Sequence, residues 1–204
     1  MSEMIGLKYD AEIRKNKGKW RIIKTKSWVR NYRHQLINQL AGLGMATFNA
    51  GNIYVEPFVL KNINNIPHAY INPFNFGVRV SGITIYSPKN FLRRIAIGRS
   101  NNPESPDDTY LGDLIKSADT YFKFVEGLEA DRPVFGLEGI FDIIADDTIN
   151  EVGLFGWEGL SDYWSNAYRQ RGWTEFLLAR DLVNPPLVVH AGDTISVRYK
   201  LRVV

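Results

Sequence analysis

The sequence predicts a mainly β protein, an antiparallel β-sandwich of jelly-roll-like type with one N-terminal α-helix and a loop-rich insertion. Three observations carry that prediction. The segment Thr194–Val204 alternates apolar and polar residues with a period of two. Short apolar runs separated by Gly, Pro, Asn and Asp clusters recur along the chain. A single apolar stripe at helical spacing stands out, between Ser27 and Gly44.

Residues 1–27 are expected to form a basic N-terminal arm, and residues 28–204 a single β-sandwich domain with its insertion at about 46–90. From Arg14 to Arg33 there are nine Lys or Arg and no Asp or Glu. The helix follows, with Ser27 as its cap and Val29, Tyr32, Leu36, Ile37, Leu40 and Leu43 as its apolar face. Gly42 and Gly44 offer a stop. That face suits packing on a sheet, with a partner-binding helix as the alternative. The insertion is rich in Asn and aromatic residues, as in Asn62-Ile63-Asn64-Asn65-Ile66 and Asn72-Pro73-Phe74-Asn75-Phe76. Asn favours turns through its own side-chain hydrogen bonds, so this stretch reads as loops.

Strand-like runs are Val78–Tyr86, Arg94–Ile97, Thr120–Val125, Ile140–Ile144, Val152–Phe155 and Thr174–Ala179. Pro185-Pro186 blocks helix ahead of Leu187-Val188-Val189. Ala191-Gly192-Asp193 then makes a tight turn into the terminal strand. In that strand Ile195, Val197, Tyr199, Leu201 and Val203 share one face. Ser196, Arg198, Lys200 and Arg202 share the other, a basic face turned to solvent or a partner.

Composition narrows the function. The chain has 204 residues, 45% hydrophobic and 23% charged, which suits a globular core. It has no cysteine, which excludes disulfides, thiolate metal sites and a cysteine nucleophile. No apolar run approaches the roughly 18 residues of a membrane span. The first twenty residues lack the apolar core of a secretory signal, so a soluble chain made without export processing is expected. The net charge of +3 hides an asymmetry: from Glu104 to Asp162 there are fifteen acidic residues and three basic ones. Such polarity can orient docking between subunits, or can simply solvate two faces. Nucleic acid is not an expected partner, because Trp20 and Trp28 sit in the basic stretch without a recognised binding motif.

No catalytic residue and no cofactor are expected. His34, His68 and His190 lie far apart in the sequence, without metal-ligand spacing. No nucleophile elbow, phosphate loop or dinucleotide fingerprint occurs. Asp142, Asp146 and Asp147, close to Glu151, are weak calcium candidates: the spacing is not that of an EF-hand, and a plain turn uses the same residues. Trp157, Tyr163, Trp164, Tyr168 and Trp173 lie among polar residues and are candidates for an interface or for stacking on a sugar. They could equally tuck onto the sandwich edge. Glu151 falls out of phase with Val152 and Leu154, which turns it away from the core, and Arg180 on a neighbouring strand is its candidate partner.

Four landmarks occur in order: Asn31–Leu40 (NYRHQLINQL), Arg94–Gly112 (RIAIGRSNNPESPDDTYLG), Ile149–Gly156 (INEVGLFG) and Phe176–Val204. Their order, from Trp28 to Val204, resembles that of phage and virus structural proteins known as tail or virion proteins. The resemblance implies a non-enzymatic virion structural protein: a tail or baseplate, capsid-decoration or spike subunit acting through assembly contacts. It implies copies of itself and other virion proteins as partners, no membrane insertion, and location in the virion after assembly in the host cytoplasm. The alternative is an adhesin module that binds host-surface glycan. A polysaccharide-degrading enzyme is the weakest reading, for want of an acid–base constellation.

Overall fold

The computed structural model describes residues 7–24, 28–29, 60–61, 63–65, 67–68, 92–126, 134–161 and 170–203. Their strands are β1 (Leu7–Lys15), β2 (Arg21–Ile23), β3 (Leu60–Lys61), β4 (Pro67–His68), β5 (Leu92–Gly98) and β6 (Leu114–Asp119). They continue with β7 (Tyr121–Glu126), β8 (Val134–Asp142), β9 (Asp147–Ser161), β10 (Gln170–Val189) and β11 (Thr194–Val203). One sheet has the order β2-β1-β11-β8-β7 and the other β10-β9-β5-β6, with a small β3-β4 ribbon apart. Every pairing among them is antiparallel.

The two large sheets share one apolar cluster. Tyr9, Ile13, Phe141, Val197 and Tyr199 come from the five-stranded sheet; Ile95, Ile97, Val152 and Leu154 come from the four-stranded one. The architecture is therefore mainly β and sandwich-like. A jelly roll sends most successive strands to opposite sheets. Here β5/β6, β7/β8 and β9/β10 each pair within one sheet, so the jelly-roll winding is the part of the expectation that this strand order does not reproduce.

The four-stranded sheet is buried on both faces over β5, β9 and β10. Its second face carries Ala96, Phe155 and Leu177, covered by Val29 and Leu111 with Tyr110 and Ile63 packed around them. Gly153 makes this possible, because a Cβ there would come within 2.8 Å of Leu111 Cδ2.

Two expectations change in the N-terminal third. Residues 7–15, expected in a basic arm, form β1 in the interior of a sheet. Tyr9, Ala11 and Ile13 are buried, and Asp10 and Glu12 lie opposite Lys200 and Arg198 of β11. The basic face of the terminal strand thus finds its acids within the chain: Arg198 and Lys200 pair with Glu12, and Arg202 with Asp10. Trp28 and Val29, expected at the start of a helix, are extended beside β10. Trp28 bridges Ala179, and the Val29 amide donates to the Leu178 carbonyl at 3.0 Å. At these two residues, main-chain pairing with the outer edge of β10 takes the place of the first helical turn. The rest of the expected helix, and the Val78–Tyr86 run, lie outside the described residues; among the described residues there is no helix.

The expected runs Thr174–Ala179 and Leu187–Val189 are joined in one strand, β10, whose register breaks between Leu182 and Leu187 across the proline pair. Four connections gather at one end of the sandwich. Asn16 N donates to Thr194 O at 2.6 Å, and Ile143 N to Asp193 O at 2.8 Å, which brings the β1–β2, β8–β9 and β10–β11 turns together. The β5–β6 loop joins them, because Gly98 lies opposite Glu151 near the start of β9.

Candidate functional site

The densest polar construction lies under the β5–β6 loop, residues 99–113. Glu151 is on β9, an interior strand, and points away from the main core because Val152 and Leu154 take the core side. It is 0% exposed. Arg180, on β10, pairs in register with Gly153 and so sits diagonally from Glu151. The structure brings the two together: Arg180 Nε donates to Glu151 Oε2 at 2.7 Å, with Arg180 only 3% exposed.

The pair holds the loop at both its base and its crown. Glu151 Oε1 accepts from the backbone N–H of Ser100 at 3.3 Å and of Asp113 at 3.2 Å, the two ends of the loop. Arg180 Nη1 donates to the Pro103 carbonyl at 3.2 Å and to Asp108 Oδ2 at 2.9 Å, and Nη2 to the Asn102 carbonyl at 3.1 Å. Asp108 Oδ2 also accepts from Ser105 N at 2.9 Å, closing a turn over Ser105-Pro106-Asp107-Asp108. Glu104 Oε1 accepts from the Leu182 amide at 3.0 Å and fixes the loop to β10 a second time.

Gly98 is required here by close approach: a Cβ would lie 2.5 Å from Glu151 Oε1 and 2.8 Å from the Asp113 carbonyl. Burial alone would lower the Arg180 guanidinium, but its hydrogen bonds to Glu151 and Asp108 outweigh that and raise it. The pair is therefore a charged, water-excluded brace.

Beside it lies a shallow depression of about 540 Å³ lined by Arg99, Asp146, Asp147, Asn150, Val188 and His190. Arg99 forms a two-pronged pair with Asp147 (Nε–Oδ1 2.8 Å, Nη2–Oδ2 2.7 Å) and reaches Asp113 at 3.2 Å. Asp146 Oδ1 accepts from Ala191 N at 2.9 Å, and its other oxygen lies 3.3 Å from His190 Nδ1. The Asp142 carbonyl accepts from Lys116 Nζ at 2.9 Å. The Asp142 carboxylate accepts from Thr194 Oγ1 at 3.4 Å, so the three calcium candidates bind different donors, and among the described residues no group of three His, Cys, Asp or Glu could hold a metal.

Trp157 lies opposite Glu175, and Trp173 opposite Gly159, in the β9–β10 ladder. Tyr163, Trp164, Tyr168 and His34 lie outside the described residues. Sequence reasoning missed Asp108 as the second carboxylate on Arg180, and missed Arg99–Asp147. The turn residues around Asp108 were the available signal for the first; nothing in the sequence marks the second. Comparison of the chain with protein-family models, curated proteins and solved structures gave no match.

The turns at this end carry an acid response. Lys15, the His190 amide and Asn16 hold the Asp193 carboxyl well below the usual carboxylate range. Arg99 lowers the Asp147 carboxyl, and the Ala191 amide with His190 lowers that of Asp146. A depressed folded value contributes stability above the unfolded value, near 4, and loses it as pH falls. The thermal midpoint is expected to fall between about pH 5 and pH 2 more steeply in the parent than in Asp193→Asn. Parallel slopes in a thermal melt series would show that Asp193 carries none of the response.

Proposed function

We propose that this chain is a non-enzymatic structural subunit of a virus particle, in its tail or baseplate, capsid decoration or spike, working through protein–protein contacts. One observation supports it most. Three of the four landmarks behind the resemblance, Arg94–Gly112, Ile149–Gly156 and Phe176–Val204, meet in the Glu151–Arg180 brace. Gly98, Glu151 and Arg180, one from each of these landmarks, fasten a loop to a sandwich, with Glu151 and Arg180 buried and Gly98 in close contact with Glu151. A motif spent on shape suits a subunit whose loops must present a fixed surface to neighbours. On this reading the jelly-roll-like class describes the kind of particle subunit, with its winding modified by hairpins within each sheet.

Light scattering on the purified chain over a concentration series tests the proposal, together with pull-down of other proteins of the same particle. Discrete oligomers or specific capture is the expected result. A monomer at every concentration that captures none of them overturns it. A glycan array with the parent and Trp164→Ala tests the adhesin alternative, which requires a signal that the variant loses.

A further inference from the structure

We propose that the outer edge of β2 is a docking strand for an extended acidic segment of another protein, which adds to the five-stranded sheet beside Arg21 and Ile22. The inference deepens the assembly reading and rests on it for the existence of such a partner. β2 ends its sheet, and among the described residues nothing pairs with its outer side. An unpaired strand edge offers main-chain donors and acceptors to any extended segment, and alternate side-chain contacts then select which one docks.

Charge selects the class. From Arg14 to Lys24 there are six cations and no anion. Two of them are matched, Arg14 by Glu138 and Lys15 by Asp193, and so are the cations of β11: Arg198 and Lys200 by Glu12, Arg202 by Asp10. Lys17, Lys19 and Lys24 are exposed, and no ion pair engages them among the described residues. Lysines on an edge can also serve only to deter pairing. Arg21 separates the two cases. It shares the core-side face of β2 with Ile23, since Arg21 lies opposite Ile13 and Ile23 opposite Ala11. Its Nη2 is buried and makes no hydrogen bond among the described residues. A guanidinium whose only purpose is repulsion gains nothing from losing water without a partner, whereas an incoming carboxylate would supply the missing acceptor.

The other face of β2 offers Ile22, a large apolar side chain at 61% exposure. A strand that alternates carboxylate and apolar residues meets Arg21 with one face and Ile22 with the other. Trp20 steadies the hairpin beneath, its ring centroid 4.4 Å from the Arg14 guanidinium carbon and 3.9 Å from that of Arg198. Two β2 edges from two copies would bring like charges together, which disfavours a self-paired edge.

Fluorescence anisotropy with a labelled (Glu-Val)4 peptide tests the inference on the full chain, with (Lys-Val)4 and a twelve-nucleotide single-stranded DNA as competing probes. Saturable binding of the glutamate peptide is expected, with the other two probes at least about tenfold weaker. Arg21→Met is expected to weaken that binding at least about tenfold while raising the thermal midpoint, because it removes an unanswered donor. Lys19→Glu with Lys24→Glu, both at exposed positions, is expected to weaken it by a similar factor. No saturable binding overturns the inference, as does equal binding by the lysine double variant or tighter binding of the DNA. A chain that self-assembles in light scattering yet ignores the peptide loses this inference alone. A monomer that binds the peptide loses only the self-assembly.

Discussion

Replacing Arg180 by alanine is expected to cost about 3–5 kcal/mol of folding stability, among the largest effects of any single substitution in the described chain. Glu151 would be left with no exposure to water, without its cation and with only two backbone N–H donors. Asp108 and the carbonyls of Asn102 and Pro103 would lose their shared donor at the same time. The conservative Arg180→Lys keeps the charge but loses the planar fork that reaches four acceptors, so a smaller loss is expected. Urea denaturation followed by tryptophan fluorescence measures both. Hydrogen exchange should show the loop amides from Ser100 to Gly112 exchanging faster in Arg180→Ala, while those of β11 change only with global stability. A loss below about 1 kcal/mol would mean that Leu111 and Tyr110 hold the loop by apolar packing alone.

The parts of this fold that could be read from sequence are those whose signal is local. The alternation from Ile195 to Val203 spans a whole strand, and the out-of-phase Glu151 marks its own face change between Val152 and Leu154. β1 has the same alternation in Tyr9, Ala11 and Ile13, yet it reads as an arm. Its partner residues run from Ile195 to Val203 at the far end of the chain, and its mixed charges acquire meaning only against Arg198, Lys200 and Arg202. The site divides in the same way. Glu151 and Arg180 sit on strands whose pairing puts them on one diagonal, so residue type and phase suffice to join them. Asn102 and Pro103 contribute main-chain carbonyls, and any residue type carries a carbonyl. Their role depends on the path of the loop, which the sequence marks only as a turn cluster. The aromatic segment around Trp164 shows the limit of composition as a guide: rings among polar residues fit an interface, a sugar platform or an edge cover equally well until their neighbours are placed.

The second large effect is expected across the core. Asp181, on β10, is fully buried and accepts from Tyr9 Oη at 2.5 Å and from Tyr199 Oη at 3.1 Å. These two donors come from β1 and β11, so one carboxylate ties the two sheets together. Either Tyr→Phe change alone leaves Asp181 one of these donors, and about 1–2 kcal/mol is expected for each. The double variant removes both from a buried carboxylate, so its cost should exceed the sum of the singles by about 1 kcal/mol or more. A double-mutant cycle in urea measures that coupling; simple additivity would mean that the remaining surroundings of Asp181 carry the charge without the tyrosines. The pH profile gives an independent check. Burial, then the nearby Asp181 charge, pushes the Tyr199 phenol well above its ordinary value of about 10. Its folded value lies above its unfolded one, so the contribution of this hydroxyl is complete below about pH 10 and is lost as pH rises further. The deficit of Tyr199→Phe relative to the parent should therefore narrow above that pH. A deficit that stays constant through the alkaline range would mean that the Tyr199 hydroxyl titrates alike in the folded and unfolded chain.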